Sequence, residues 1–149
     1  MKDWIEKARG LSFGVATGFR GADGRFEETS HGHQWMMFEE GEDTVFWCPF
    51  NNQAATLEGR AFALNERAIV RATTYSLGAS LVIHGSIAKW ILARGRGIYV
   101  LNWRHAFDRL RDAPRIACDE AVINLYRSNM RPERMPVMTI RRQRRGEAA

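Results

Sequence analysis

The residues able to do chemistry in this chain are few and scattered. His31-Gly32-His33 is the one local pair of imidazoles. On a strand, side chains two apart point the same way, so both rings could reach one metal ion. A site would need a further ligand, which Glu27, Glu28 or Asp43 could supply only after folding, and no H-E-x-x-H or C-x-x-C spacing accompanies the pair. An exposed loop ahead of a strand is the simpler reading, so no metal is assigned. Cys48 sits in Phe46-Trp47-Cys48-Pro49-Phe50. A nucleophilic thiol needs a base or a positive field beside it; these neighbours supply neither, and Cys48 reads as core. Cys118 falls on an apolar helical stripe and reads the same way. His84 reads as a satisfied buried histidine. His105, next to Arg104 at a helix start, is exposed and could help bind phosphate. Ser76, Ser80 and Ser86 lack the G-x-S-x-G elbow. No catalytic residue and no cofactor is assigned.

Anion binding is better represented. In Ala93-Arg94-Gly95-Arg96-Gly97, glycines on both sides of Arg96 would let the backbone approach a ligand and turn its amides outward as an anion nest. Trp90, Tyr99, Trp103 and Arg104 lie close by, and aromatic and guanidinium faces are what single-stranded bases stack on. A structural reading competes: Gly95 is a good residue just past a helix end, and arginines suit a helix C-terminus. Neither G-x-x-x-x-G-K-[ST] nor G-x-G-x-x-G is present. Farther on, Arg131, Arg134, Arg141, Arg142, Arg144 and Arg145 stand against Glu133 alone. A planar guanidinium bonds phosphate oxygens in pairs and stacks on bases, which a lysine does not do. Val137, Met138 and Ile140 interrupt this tail, so part of it could be an edge strand; a solvated terminus is the alternative. The candidate anion-binding set is Arg94, Arg96, Arg104, Arg141, Arg142, Arg144 and Arg145.

These groups belong to a chain whose charge reverses near residue 60. Residues 1–59 hold five Lys/Arg against ten Asp/Glu, and residues 60–149 hold seventeen against seven. Such an imbalance speaks of partners and not of fold. It favours an anionic partner, nucleic acid first and an acidic protein surface second. It argues against a DNA mimic, although the Glu39–Asp43 turn is locally acidic.

The acidic half reads as strands. Leu11–Phe19 and Arg25–Thr29 flank Gly21-Ala22-Asp23-Gly24, and Gln34–Phe38 and Thr44–Cys48 flank residues 39–43, which predicts two hairpins. Val45 and Trp47 alternate with Phe46 and Cys48, so both faces of that strand are apolar and covered. Pro49 ends it. In the basic half, Gly97–Leu101 predicts a buried strand. Trp103, Phe107 and Leu110 share a helical face with Asn102 as N-cap. Asp112 and Pro114 would open a second helix with the stripe Cys118, Ala121, Val122, Leu125 and Tyr126, ended by Asn129 and Pro132. Asp108 at helical spacing would pair with Arg104 and Arg111. Residues 66–93 fit one helix, or a strand at Leu81–His84 followed by a short helix. Strands early and helices late predict an α+β fold: a largely antiparallel sheet from the N-terminal half with C-terminal helices packed on one face.

At 149 residues the chain is one domain's worth, read as a single domain over 1–136 with a basic tail over 137–149. A domain this size buries roughly 68–70% of its unfolded surface and needs no disulfide or metal staple. Two cysteines seventy residues apart suggest reduced thiols. MKDWIEKARG is charged where a signal peptide is apolar, and the longest uncharged stretch, Ala72 to Ala88, is too polar for a membrane span. The protein therefore reads as soluble and cytoplasmic. In size, arginine content and lack of catalytic motifs it resembles small accessory proteins of phages and plasmids. The leading reading is a non-enzymatic binding module whose Arg-rich half engages nucleic acid or a nucleoprotein complex. An inhibitor of a host defence complex, such as an anti-CRISPR protein, is one version of it. A small enzyme acting on a phosphorylated or nucleic-acid substrate through His31, His33 or His105 is a second reading. A structural or oligomerising subunit whose tail arginines bind the next subunit is a third.

Overall fold

Each strand of the acidic half carries an apolar row that water disfavours, and pairing the strands buries those rows together. The computed structural model describes residues 1–132 and 136–142. In it, β1 (Gly14–Arg20) pairs antiparallel with both β2 (Phe26–Glu28) and β3 (His33–Glu40), β3 with β4 (Asp43–Cys48), and β4 with β5 (Gln53–Thr56). The strand order is β2-β1-β3-β4-β5, and a bridge from Arg25 to Thr56 draws the two edges together, so the sheet curls. Both expected hairpins are present. Gly24 and Gly41 make their turns with φ of +83° and +60°, where a side chain would be strained. β5 was not anticipated, because Gln53-Ala54-Ala55-Thr56 is too short and too small to show a period.

The curl gives the two faces different work. One closes on itself around Phe26, Trp35, Phe46, Cys48 and Ala55, with Phe26 stacked on Phe46 at 3.9 Å. The other presents Met36, Phe38, Val45 and Trp47 to two helices, α1 (Lys2–Lys7) and α2 (Ile87–Leu92). Trp47 is 2% exposed and meets the edge of Trp4 at 4.8 Å. The alternation of Val45 and Trp47 with Phe46 and Cys48 thus fills two cores from one strand, as expected.

A further core gathers the basic half. β6 (Ala63–Leu64) pairs antiparallel with β8 (Tyr99–Val100), and β7 (Leu81–Ile83) pairs in parallel with β9 (Ile116–Cys118). α3 (Ala106–Leu110) and α4 (Ile123–Asn129) cover them, burying Leu81, Ile83, Ile98, Val100, Leu110 and Val122. The α+β class holds, with one correction to the layering. Of the helices after residue 60, only α2 lies on the curled sheet; α3 and α4 enclose this separate core.

Two local readings are also settled. Residues 66–93 form a strand followed by a helix, preceded by 3₁₀ turns at Glu66–Ile69 and Ala72–Gly78. Gly85 cannot lie inside one long helix here, because it packs against the 119–121 turn, where a Cβ would stand 2.9 Å from Asp119 Oδ2 and from Ala121 Cβ. Ser86 caps α2 by accepting the N–H of Lys89. The helix expected from Asp112 starts later. Ile116-Ala117-Cys118 is strand, not helix, because β7 offers it a ladder of hydrogen bonds that local helical pattern cannot match. The cap is Asp119, whose side chain accepts from the N–H of Ala121. Among the described residues no helix is long and apolar enough to cross a membrane, and Cys48 and Cys118 are free thiols.

Candidate functional site

The arginine loop is built by the end of α2. Arg94 and Gly95 both take positive φ, +57° and +70°, turning the chain back across the helix end. Three successive amides then satisfy helix carbonyls: Arg94 N–H donates to Ile91 O at 2.8 Å, Gly95 N–H to Trp90 O at 3.0 Å, and Arg96 N–H to Ala93 O at 3.2 Å. The expected anion nest at 95–97 is therefore not formed from these amides. They point at the helix and not at solvent.

The carbonyls of the loop are held as firmly. The side-chain amide of Asn65 donates to Gly95 O and Gly97 O, the indole N–H of Trp90 also reaches Gly97 O at 3.2 Å, and His84 Nε2 lies 2.7 Å from Arg96 O. His84 is thus satisfied by the backbone as expected, but it is half-buried and not buried. Trp90 is buried, and Tyr99 and Trp103 are half-buried against the cores. What remains for a ligand is the pair of exposed guanidinium groups, Arg94 and Arg96.

Arg104 is exposed too, in the 3₁₀ turn Trp103–His105, which Asn102 caps as expected by accepting the Arg104 N–H at 3.2 Å. It does not join the first two. Gly97 lies beside Asn65 at one end of the β6–β8 ladder, and Asn102 lies beside Phe62 at the other. At about 3.3 Å per residue the two ends are on the order of 15 Å apart. Asp108, expected to pair with Arg104 and Arg111, has no ion pair among the described residues; Arg109 instead reaches Glu66 at 2.8 Å. Arg141 and Arg142 are exposed, and residues 136–142 form no strand, so the edge strand expected around Val137 and Ile140 is absent there. Arg144 and Arg145 lie outside the described residues.

The histidines are dispersed. His33 opens β3 and stacks on the exposed ring of Phe50 at 4.5 Å. His31 lies in the preceding turn, so the same-side strand geometry needed to share an ion does not arise. His105 is far along the chain in another core's turn. Among the described residues no cluster of three His, Cys, Asp or Glu is placed to hold a metal. Burial raises the Cys118 thiol above its ordinary value, which leaves it a poor nucleophile.

One concavity was not anticipated. A groove of 1830 Å³ runs from the β3–β4 turn across Phe62 and Ile69 to α3, lined by seven carboxylates against three arginines. Two of the carboxylates are structural. Asp43 accepts the N–H groups of Thr44, Glu58, Arg60 and Ala61, and Glu40 accepts those of Asn65 and Glu66. Burial opposes ionisation of Asp43, but its four donors outweigh that and hold the carboxyl below its ordinary value. At Glu40 burial wins over the two donors, and the carboxyl is raised. Glu42 and Glu66 pair with Arg60 and Arg109. Of the other lining carboxylates, Asp112 is exposed and approached by Arg111 at 3.9 Å, while Glu39 and Asp108, like Arg67, have no ion pair among the described residues. The sequence signals were the acidic run at 39–43 and the i, i+4 spacing of Asp108 and Asp112. No protein-family model, curated protein or solved structure matches this chain.

Proposed function

We propose that this protein is a non-enzymatic binding module whose Arg-rich C-terminal half engages nucleic acid or a nucleoprotein complex. The observation that carries the reading is the state of the arginines. Arg94, Arg96, Arg104, Arg141 and Arg142 are all exposed, and none has a carboxylate partner among the described residues. Exposed guanidinium groups without intramolecular partners are free to take phosphate oxygens in bidentate fashion. The spread of the loop arginines and Arg104 over about 15 Å suits an extended polyanion better than a single phosphate. A cytoplasmic setting belongs to this proposal, and the two free cysteines are consistent with it.

The test is a titration with single- and double-stranded nucleic acid at several salt concentrations. Deleting Arg141–Ala149 removes four arginines and should flatten the log–log salt slope by about 3 to 4. An unchanged slope with intact affinity would remove the tail from the interface. The enzyme reading gains nothing from the geometry. His31, His33 and His105 do not meet, and His105 faces a groove whose carboxylates repel phosphate. The oligomerising reading is favoured by one specific observation, the groove itself.

A further inference from the structure

We propose that the acidic groove receives residues 137–142 of a second copy of this chain, so that two copies exchange tails. The inference does not rest on nucleic-acid binding; it rests on the match between two surfaces of one molecule. At 1830 Å³ the groove exceeds the roughly 300–1,000 Å³ of small-molecule sites, a size that suits a chain segment. Among the described residues Glu39 and Asp108 have no ion pair and Asp112 has only the 3.9 Å approach of Arg111, against Arg67, a negative site in a chain of net charge +5. Its apolar lining includes Val70, which is 86% exposed at the rim, with Ile69, Phe62 and Tyr75 behind it.

The segment has the complementary character. Val137, Met138 and Ile140 are 92%, 84% and 80% exposed, followed at once by Arg141 and Arg142. Three large apolar side chains left in water within four residues mark a surface that a partner covers. The six residues span about 20 Å when extended, enough to lay the apolar part along Val70 and carry both guanidinium groups to the carboxylates. Because residues 136–142 lie exposed on their own chain, the groove they fill is a neighbour's. Reciprocal exchange closes at two copies. Arg141 and Arg142 would then serve either the neighbour's groove or a polyanion, so nucleic acid and self-association compete for them.

The experiment is sedimentation of the full chain, freed of nucleic acid, across concentration and between about 50 and 200 mM salt. Two double variants accompany it: Arg141→Glu with Arg142→Glu in the tail, and Asp108→Lys with Asp112→Lys in the groove. All four positions are exposed, so melting temperatures should match the native chain and certify folding. The native chain should dimerise more weakly as salt rises, and each variant alone should associate at least about tenfold more weakly, because two attractive contacts become like-charge repulsions. An equimolar mixture of the two variants should restore the dimer, because native tail then meets native groove and reversed tail meets reversed groove. A native chain that stays monomeric at every concentration, including one whose tail fills its own groove, overturns the proposal. So does a dimer that both variants form as well as the native chain, or a mixture that remains monomeric. Dimers without nucleic-acid binding would sink the proposed function and leave this inference standing.

Discussion

The side-chain amide of Asn65 donates to the carbonyl of Gly97 at 3.0 Å, with its second hydrogen on Gly95 O at 3.1 Å. The backbone N–H of Asn65 goes the other way, to Glu40 Oε2 at 2.7 Å. One residue thereby ties the acidic sheet to the arginine loop, and it takes φ of +59° to do so. Asn65→Ala removes both side-chain donors and leaves a Cβ in the left-handed region without the amide that compensated for it. The expected loss is about 2–4 kcal/mol. Asn65→Gly relieves the backbone and should lose less. Urea unfolding of the pair separates hydrogen bonding from strain, and equal losses would show that the two carbonyl contacts contribute nothing.

Gly97 has φ of +74°, and a Cβ on it would stand 2.5 Å from the carbonyl oxygen of Val82. That oxygen accepts the N–H of Ile98 and cannot withdraw without breaking the link between β7 and β8. Gly97→Ala should therefore cost about 2–5 kcal/mol, strain and overpacking together. Arg94 is the opposite case, a non-glycine at φ +57° with its amide already bonded. Arg94→Gly should stabilise the protein by about 1 kcal/mol. Thermal unfolding checks both signs.

Because the amide of Arg96 is turned to the helix, only its side chain can serve a ligand. Arg96→Ala should leave the melting temperature unchanged and reduce the salt slope of nucleic-acid binding by about one. A drop in stability without a change in slope would return Arg96 to a purely structural role.

Asp43 gives a pH dependence with a definite sign. Its carboxyl is held below the ordinary 3.8, burial being outweighed by four N–H donors, so the unfolded chain takes up the proton first. The stabilisation is complete above the ordinary value and is lost as pH falls through the lower, folded one. Asp43→Asn offers one acceptor oxygen in place of two and should cost at least about 2 kcal/mol at neutral pH. The gap between native and variant stability should narrow on acidification. A gap independent of pH would mean that the charge on Asp43 is not what holds the 58–61 loop.

Trp47 is 2% exposed between the sheet and the two helices on it, and Trp47→Ala should cost about 3–5 kcal/mol. Against a total of about 5–15 kcal/mol, that brings the domain close to unfolding. Calorimetry that moved the transition by only a degree or two would contradict the burial.

What the sequence determined by itself is what neighbouring residues decide among themselves. The alternation of Val45 and Trp47 with Phe46 and Cys48 is a property of four adjacent residues, and it was enough to place a strand between two cores. The turns at Gly24 and Gly41 and the Asn102 cap are equally local, and the charge of the two halves needs no structure at all. The tertiary structure decided whatever depends on a distant partner. Ile116-Ala117-Cys118 carries a helical pattern, yet β7 lies in reach and offers hydrogen bonds along a whole strand, so the segment extends. The amides of the arginine loop could have faced solvent; the end of α2 left open carbonyls beside them, and those took the amides. The groove is the clearest case. Apart from Glu66, its acids stand at 39–43 and at 108–112, more than sixty residues apart, and neither run is a site alone. Only the chain's return past Phe62 sets them across one cleft, because long-range packing, not local preference, chooses which surfaces face each other.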